Sequence, residues 1–341
     1  MRAPYIREFA AALELGLQTG LCSERLSLVK TADGGLDYFS GGASVLFAAE
    51  TTEHQPFIVK CYRHPSARRC EVYRALRGRD VAPYGCVGEF FESALTVVSE
   101  ESVEVDVGLM PRVVGVTLEE RVAELCREGD CEGLSHLAEE FDAMAEWMIQ
   151  QDWAHGDLSP DNIMVTPEGL RLIDFDAAYL PNLTEQRVEI GRAEYNHPSR
   201  KVAMDNKHID DWAIALLSVN LHALAVEPRW KTTEELPFLS DFFVAEHRRR
   251  VDELAYRLAE SGKARAYTLC GVLCEPFAEI ENMPEIFARR VTPTTNAESF
   301  NVGSRWGLRC GKRIVEAAVW DDVVRRESGW FGRLNNTFYE L

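Results

Sequence analysis

The sequence lacks a long hydrophobic run. None of its 341 residues lies in an uninterrupted apolar stretch of about 18 residues, the length that a membrane-spanning helix requires. The first twenty residues carry Glu8 and Glu14 inside an apolar pattern, which favours an amphipathic helix over a secretory signal peptide. The sequence therefore predicts a cytoplasmic protein with no membrane partner.

Positive charge is also scarce. The chain has 37 lysine and arginine residues against 55 aspartate and glutamate residues, a formal net charge of −18. Binding to nucleic acid relies on neutralising phosphates with basic side chains, so we expect no nucleic-acid partner. With 46% hydrophobic and 27% charged residues, the composition is typical of a globular protein.

The nine cysteines show no CxxC pair and no histidine at zinc-finger spacing. Their odd number, in a chain of this size, favours a reducing compartment over a disulfide framework. Cys270 and Cys274 stand four residues apart in an apolar, helix-like stretch. We therefore interpret them as core thiols and not as metal ligands.

The periodicity of apolar residues changes along the chain and predicts an α+β fold. The region from 36 to 114 is strand-like, with β-rich segments at 44–50, 56–62, 94–100 and 106–114. From about residue 117 onward the spacing is helical. A chain of this length usually divides into more than one domain, so a small β-rich part is expected before a larger helical part.

Three helices are predicted with particular clarity. The first runs over 64–78, with Pro65 near its start and Gly78 at its end, as helix termini prefer. The second carries its apolar residues on one face. The third, over 212–225, is apolar nearly all round and should be buried. The apolar residues of the second are Leu137, Phe141, Met144 and Met148.

The stretch HGDLSPDNIMV, from His155 to Val165, holds two carboxylates and a carboxamide just before an apolar run. A strand candidate at 163–165, a turn at 166–169 and a second strand over 170–176 follow it. Phosphoryl transfer needs a carboxylate to orient and deprotonate the acceptor hydroxyl and oxygen ligands for magnesium. Asp157 suits the first role, and Asn162 and Asp174 suit the second.

The spacing H-G-D-x-x-x-x-N, followed twelve residues later by D-F-D, resembles the catalytic and metal-binding loops of the protein kinase-like superfamily. The resemblance implies a bilobal fold, with a small β-rich N-lobe over 31–114 and a larger helical C-lobe over 115–298. A helical extension at 1–30 and a short C-terminal β-hairpin segment at 299–341 would flank them. It also implies ATP and Mg²⁺ as cofactors.

The resemblance assigns nucleotide-binding roles to residues before the HGD motif. Lys60 corresponds to the lysine that holds the α- and β-phosphates, and Glu71, on the following helix, to the carboxylate that pairs with it. The phosphate-covering loop would contain Gly41, Gly42 and Ser44. The residues implied around the adenine are Ile58, Met110 and Arg112.

Two later segments extend the resemblance. EYNHPSR, over 194–200, corresponds to the end of the activation segment, and HIDDWAIAL, over 208–216, to a buried helix whose leading aspartate, Asp210, braces the catalytic loop. The alternative to this bracing role is that Asp210 only caps the helix. The D-aromatic-D triplet and the Tyr-x-His-Pro motif resemble a bacterial branch of the superfamily.

Three positions depart from the usual kinase pattern. Gly156 replaces the arginine that precedes the catalytic aspartate, so control by phosphorylation of the activation loop is not expected. Ser159 stands where a lysine commonly steadies the transferring phosphoryl group. Asp176 replaces a glycine after Asp174 and Phe175; it is interpreted either as a further magnesium ligand or as a restraint on the loop.

Three functions stay open at this stage. The first is a serine/threonine protein kinase acting on an unidentified protein. The second is a small-molecule phosphotransferase similar to the aminoglycoside-modifying enzymes, whose acidic pockets take cationic drugs. The third is a pseudokinase that binds nucleotide and serves as a scaffold. The oligomeric state is not predicted.

The C-terminal segment has a different character. Residues 304–324 are typical of strand, glycine turn and strand, with Gly311-Lys312 as the turn, and a second start follows at 328–336. Trp306-Gly307 and Trp330-Phe331-Gly332 resemble the WG repeat of bacterial proteins. Such short units need neighbours to bury their apolar faces, so this segment either packs on the helical part or belongs to a longer array; the alternative is an ordinary hairpin.

Overall fold

The computed structural model describes most of the chain between Pro4 and Ala317 and has a mixed α+β fold. The described residues are 4–19, 21, 25–98, 102–185, 191–197, 200, 205–231, 248–273, 283–288, 306–310 and 313–317. The chain divides into two compact units. The first comprises residues 1–115, 171–177 and 182–186, and the second comprises 116–170, 178–181 and 187–341.

A curled, six-stranded antiparallel sheet forms most of the first unit. Its order is β1–β3–β4–β6–β5, and β2 pairs with the free part of β3. The expected strands at 44–50 and 56–62 are confirmed almost to the residue. The strand bounds are β1 Leu26–Leu28, β2 Tyr38–Ser40, β3 Ser44–Thr51, β4 Pro56–Tyr62, β5 Glu89–Val98 and β6 Ser102–Pro111.

The last two strands of this sheet differ from the expectation. The segments 94–100 and 106–114 were expected as strands, whereas β5 begins at Glu89 and β6 runs from Ser102 to Pro111. The pairing of β5 with β6 shifts register between Phe91 and Leu95. This irregularity interrupts the alternation of apolar residues that marks a strand in sequence.

Helix α1, Ile6–Thr19, belongs to the hydrophobic core of the first unit. Its Phe9 and Leu13 are fully buried. They belong to the same buried cluster as Val59 and Cys61 on β4. The amphipathic pattern of the first twenty residues therefore reflects packing against the sheet.

Helix α2, Ala67–Leu76, is the second helix of the first unit and is shorter than the predicted 64–78. Its N-cap is Ser66, whose side chain accepts a hydrogen bond from the Arg69 N–H. Pro65 therefore precedes the cap instead of opening the helix. Serine is a favoured N-cap because its oxygen satisfies an amide of the first turn.

The second unit is mainly helical and contains most of a small sheet of order β7–β8–β9. Helix α3 begins with a capping box in which Thr117 and Glu120 bond reciprocally. The bounds are β7 Val116–Thr117, α3 Leu118–Glu128, α4 Cys131–Ile149, β8 Ile163–Thr166, β9 Gly169–Leu172, α5 Asp211–Val226, α6 Arg248–Glu260, α7 Ala264–Val272, α8 Met283–Ala288, β10 Trp306–Cys310 and β11 Arg313–Ala317.

Helices α4 and α5 form the core of the second unit, as the sequence predicts. The α4 residues Leu137, Phe141, Met144 and Met148 are buried on one face. Every residue of α5 from Asp211 to Ala225 is buried. Cys270, on α7, is fully buried and is a free thiol.

A buried carboxylate ties three of these helices together. Asp142 on α4 is 5% exposed and accepts hydrogen bonds from Ser218 at 2.6 Å and from Arg265 at 2.6 Å. Nε2 of His222 lies 3.0 Å from Oδ2, the oxygen that Arg265 also contacts. Burial alone would raise the pKa of Asp142, but these partners outweigh burial and lower the pKa.

Several predicted features fall wholly or partly outside the described residues. They are Cys274, the Gly311-Lys312 turn, the second start at 328–336, Pro198 and Ser199 of the EYNHPSR motif, and residues 289–295 of a helix-compatible stretch. Strands β10 and β11 pair antiparallel, with Trp306 opposite Ala317. Among the described residues no helix is both long and apolar enough to cross a lipid bilayer.

Candidate functional site

The HGD loop, residues 155–162, follows α4 and is held in place by Asp210. The Asp210 carboxylate accepts hydrogen bonds from the backbone N–H groups of His155, at 2.5 Å, and Gly156, at 2.8 Å. Asp210 is 4% exposed. It is also the N-cap residue of α5, but its side chain makes no capping hydrogen bond. The bracing role expected of Asp210 is confirmed, and the capping alternative is not.

Gly156 has a conformational role in this loop. Its φ is +83°, in the left-handed region that glycine adopts without steric cost. The arginine usual at this position would be strained in that conformation. The departure from the kinase pattern at Gly156 thus accompanies a particular backbone turn just before Asp157.

Asp157 and Asn162 are brought together by the loop. The Asn162 side-chain amide, at Nδ2, donates a 2.8 Å hydrogen bond to the Asp157 carbonyl and lies 3.3 Å from its Oδ2. Because Nδ2 is used in this way, Oδ1 is the Asn162 atom left to contact a cation. The arrangement fixes the Asp157 backbone and holds the Asn162 side-chain amide beside the Asp157 carboxylate.

Residues 191 and 192 also approach Asp157, a contact that no sequence motif predicts. The Arg192 N–H donates a 2.9 Å hydrogen bond to Oδ1 of Asp157, and its guanidinium pairs with Asp161. Gly191 has φ +82°, and a Cβ there would lie 2.7 Å from Oδ1 of Asp157. The only sequence signal for this close approach is the glycine itself.

In the first unit, the two faces of strand β4 have different surroundings. Val59 and Cys61 are buried in the hydrophobic core. Side chains alternate along a strand, so Ile58, Lys60 and Tyr62 share the opposite face. Burial raises the pKa of the Cys61 thiol, which therefore stays neutral, and the charged chemistry of β4 is confined to the face of Lys60.

Lys60 is buried, at 4% exposure, and its ammonium contacts two carboxylates. It donates to Asp174 at 2.7 and 2.8 Å and lies 2.9 Å from Oδ2 of Asp176. Burial alone would lower the pKa of Lys60, but the attraction of Asp176 and Asp174 outweighs it and raises the pKa. Lys60 is therefore a fixed positive charge.

The expected pairing of Lys60 with Glu71 is wrong. Glu71 instead accepts hydrogen bonds from the N–H groups of Thr184, at 2.9 Å, and Glu185, at 3.1 Å, and from the Thr184 hydroxyl. The Thr184 side chain and these backbone donors lower the pKa of Glu71. Glu71 thus binds residues 184 and 185, while Asp176 lies next to the lysine.

Asp176, for which the sequence allows two interpretations, contacts four side chains. Its Oδ1 accepts hydrogen bonds from the hydroxyls of Tyr62 and Tyr73, both at 2.9 Å. Its Oδ2 forms ion pairs with Lys60 and with Nε of Arg69, the latter at 3.4 Å. Burial alone would raise the pKa of Asp176, but Lys60 and Arg69 outweigh it and the pKa is lowered. We call Lys60, Tyr62, Arg69, Tyr73, Asp174 and Asp176 the lysine cluster.

The strand expected over 170–176 ends earlier than predicted. Strand β9 ends at Leu172, and a short 3-10 turn covers Phe175–Ala177. Between them Asp174 has φ +62°, which is uncommon for a non-glycine residue. The two carboxylates of the D-F-D triplet therefore leave the strand and both reach Lys60, while Phe175 is buried.

The expected phosphate-covering loop is the turn between β2 and β3. The Gly41 N–H donates a 2.9 Å hydrogen bond to the Ser44 carbonyl, and Ser44 begins β3 with 6% exposure. A Cβ at Gly42 would meet no atom within 4 Å. Arg63 anchors the turn by donating to the Gly41 carbonyl at 3.4 Å and to the Ser40 hydroxyl at 3.0 Å.

The three residues implied around the adenine lie at one end of the paired strands β4 and β6. Ile58 is directly opposite Met110 in the register, and both are half-buried. The Arg112 N–H donates a 2.9 Å hydrogen bond to the Pro56 carbonyl, and its guanidinium pairs with Asp37 at 3.2 Å. The sheet thus brings Ile58 and Met110 together two positions along β4 from Lys60.

Each unit contains an oxygen donor of the kind that magnesium takes in proteins. Asp174 supplies a carboxylate whose side chain is 38% exposed, and Asn162 supplies an amide oxygen. Within the part of the chain that is described, no three His, Cys, Asp or Glu side chains form a ready-made metal cage. Magnesium usually binds through one or two protein oxygens plus substrate phosphates and water, so a protein cage is not required.

The segment corresponding to the end of the activation loop packs on α5. The His197 ring stands edge-on to the Trp212 ring, with 4.6 Å between centroids. Arg200 donates a 2.8 Å hydrogen bond to the Ile209 carbonyl. These contacts connect the histidine of the Tyr-x-His-Pro motif to the helix that begins with the Asp210 brace.

Comparison of the sequence with protein-family models finds no match, and neither does comparison with curated proteins. The resemblance to protein kinases therefore rests on the sequence motifs.

Proposed function

We propose that the chain is an ATP- and magnesium-dependent phosphotransferase of the protein kinase-like superfamily, with a bilobal kinase fold. Its acceptor is proposed to be a serine or threonine hydroxyl of a protein. The observation that carries the proposal is the Lys60–Asp174 pair, in which two residues 114 positions apart make hydrogen bonds of 2.7 and 2.8 Å. Kinase-like phosphoryl transfer uses a lysine on the phosphates and an aspartate on magnesium, and this pair supplies one residue of each kind.

The first unit would supply nucleotide binding. Lys60 is a permanent cation because neighbouring carboxylates raise its pKa, which suits it to the α- and β-phosphates. Ile58 and Met110, paired across β4 and β6, offer an apolar surface to the adenine. The backbone of the Gly41-Gly42 turn, which carries no side chains, can approach phosphate oxygens closely.

The second unit would supply the acceptor chemistry. In this proposal Asp157 orients the acceptor hydroxyl and takes its proton while the hydroxyl oxygen bonds to the γ-phosphorus. The bond from that phosphorus to the bridging oxygen of ADP breaks, and ADP leaves with the electron pair. The Asp210 contacts to His155 and Gly156 hold the loop in one geometry, which reduces the entropy lost on reaching the transition state.

Asn162 and Asp174 would hold the magnesium ion. When bound, the ion neutralises charge on the phosphate oxygens and aligns them for transfer. Asn162 is oriented for this role by its hydrogen bond to the Asp157 carbonyl. Asp174 is oriented by Lys60, and the D-F-D backbone holds it outside β9.

The test is phosphate transfer from labelled ATP with magnesium, measured on the wild type and on Asp157→Ala and Asp174→Ala variants. Asp33→Asn is the matched control because Asp33 is an exposed carboxylate on a surface turn, bonded to Thr31. The proposal expects label on protein for the wild type and the control and about a thousand-fold less for the two variants. Melting curves verify that each variant is folded.

The acceptor mixtures separate the alternatives. One mixture contains the protein alone, one contains generic protein substrates, and one contains an aminoglycoside. Label found on the drug alone would replace the protein kinase proposal with a small-molecule phosphotransferase. Thermal stabilisation by ATP and magnesium without transfer to any acceptor would replace it with a nucleotide-binding scaffold.

A further inference from the structure

We propose that Asp176, and not Glu71, is the counter-ion that positions the Lys60 ammonium for the nucleotide phosphates. The inference deepens the proposed function and rests on it for the identity of the ligand. It makes Asp176 a positioning residue, which acts on the substrate through Lys60. The geometry of four side chains around one carboxylate carries it.

Asp176 is itself held in a single position. Its Oδ1 receives the hydroxyls of Tyr62 and Tyr73 at 2.9 Å each. The Tyr73 ring stacks on Phe90, with 5.5 Å between centroids and 16° between planes, and Tyr62 is fully buried. Rigid donors leave the carboxylate little freedom, so its Oδ2 presents a fixed anion to Lys60.

Arg69 is the second cation beside Asp176. Its Nε lies 3.4 Å from Oδ2 of Asp176, and its guanidinium lies over the Tyr62 ring at 3.8 Å from the centroid. Lys60 and Arg69 thus face Asp174 and Asp176, and Arg69 also lies 4.0 Å from the buried Asp106. A buried cation requires such compensation, because an unpaired buried charge is strongly destabilising.

The two aspartates differ in what else they can do. The Asp174 side chain is 38% exposed and the Asp176 side chain 22% exposed. Asp176 already contacts two hydroxyl donors and two cations, whereas Asp174 is the residue proposed to bind magnesium. If Asp174 bound magnesium, Asp176 would remain as the anion that holds Lys60.

Glu71 cannot fill this role in the described arrangement. It is bonded to the Thr184 N–H and hydroxyl and to the Glu185 N–H. Arg68, one turn earlier on α2, donates a 2.8 Å hydrogen bond to the Glu185 carbonyl. Arg68 and Glu71 of α2 therefore bind residues 184 and 185, while Arg69 and Tyr73 of the same helix contact Asp176.

The first measurement does not use nucleotide. Acylation of Lys60 by a small anhydride is followed by mass spectrometry at one fixed pH on the folded full-length protein. We expect Asp176→Asn to speed acylation about ten-fold, because it removes one of two charged partners. Tyr73→Phe, which removes one hydroxyl and keeps the ring stacked on Phe90, should act in the same direction with a smaller effect.

Two comparison variants define the result. Glu71→Gln should change the acylation rate by less than Tyr73→Phe does. Asp106→Asn is the matched control. Asp106 is a buried carboxylate, 3% exposed, and it lies 4.0 Å from Arg69. In the described part of the chain it makes no contact with Lys60. It should lower the melting temperature and leave Lys60 acylation within two-fold of the wild type.

The second measurement is ATP affinity with magnesium and with a chelator. Asp176→Asn should weaken ATP binding about ten-fold with magnesium. The loss should be smaller with the chelator, because Asp174 can then still hold Lys60. A general loss of structure would weaken binding equally in both conditions.

The two measurements separate the two proposals. If Glu71→Gln speeds Lys60 acylation as much as Asp176→Asn does, or if neither variant has an effect, the assignment of Asp176 is wrong whatever the enzyme does with ATP. If Asp176→Asn alone has the expected effect but the wild type binds no ATP, the counter-ion is correctly assigned and the proposed function is wrong.

Discussion

The backbone N–H of Arg192 donates a 2.9 Å hydrogen bond to Oδ1 of Asp157. The proposed general base is therefore contacted on one side by Asn162 and on the other by the chain at 191–192. Substrate hydroxyls would meet an Asp157 whose orientation is already set. This arrangement gives Gly191 a role that can be tested separately from the carboxylate.

Gly191→Ala should lower the rate of phosphate transfer by about ten-fold or more, because the added Cβ would lie 2.7 Å from Oδ1 of Asp157. Gly34→Ala is the matched control, since Gly34 has nearly the same φ, +84°, with no atom within 4 Å of the added Cβ. Both substitutions should cost about 1–2 kcal/mol of stability from backbone strain. The measurements are kcat and denaturant unfolding. Equal activity of the two variants would contradict the role given to Gly191.

Asp210→Asn should destabilise the protein by about 2 kcal/mol. The two carboxylate oxygens of Asp210 each accept one hydrogen bond, from His155 and from Gly156, whereas a carboxamide has only one accepting oxygen. It should lower kcat more than it raises the KM for ATP, since the displaced loop carries Asp157. Chemical denaturation and steady-state kinetics measure the two effects. Asp211→Asn, at a buried carboxylate whose partner is His208 at 3.0 Å, is the control and should preserve the kcat.

Asp142→Asn should destabilise the second unit by about 3–5 kcal/mol, because it leaves the half-buried Arg265 and the buried His222 without their anion. It should also change the acid dependence of stability. The pKa of Asp142 is lowered on folding, so its contribution is present above the ordinary carboxyl pKa and is lost as the pH falls through the lowered folded value. The free energy of unfolding of the variant should therefore fall less steeply below about pH 4. Glu139→Gln, at an exposed residue of the same helix, should retain the wild-type slope.

Glu71→Gln should speed amide hydrogen exchange at Thr184 and Glu185 about five-fold or more, because their N–H groups donate to the Glu71 carboxylate. Exchange at the amides of β4 should stay at the wild-type rate. Mass spectrometry of the peptide that covers 182–186 provides the measurement. Unchanged exchange at both amides would show that the Glu71 contacts contribute nothing to the order of this segment.

The sequence predicted those features that depend on local periodicity or on a compact motif. The alternation in β3 and β4 located both strands, and the i, i+3, i+4 pattern located the buried face of α4. The HGD motif predicted that Asp157 and Asn162 lie close together, because they are only five positions apart in the sequence. Asp210 was found through its motif, since nothing local connects it to residues 55 positions earlier.

The lysine cluster could not be predicted in the same way. Tyr62 and Tyr73 reach Asp176 across 114 and 103 residues, and tyrosines at those positions read equally well as core aromatics. Glu71 lies where a partner for Lys60 is expected, but the direction in which it points depends on the backbone of 184–185. The choice between two carboxylates for one lysine is made by tertiary packing, which no spacing encodes.

The burial of Phe9 and Leu13 behind β4 has a consequence for experimental design. The strand that carries Lys60 on one side shares a buried core with α1 through Val59 and Cys61 on the other. A version of the chain trimmed to begin near residue 30 would expose an apolar strip on the reverse of the sheet and invite aggregation. A reporter group attached at the exposed Leu15 would, in contrast, sense the integrity of that strand without touching the nucleotide chemistry.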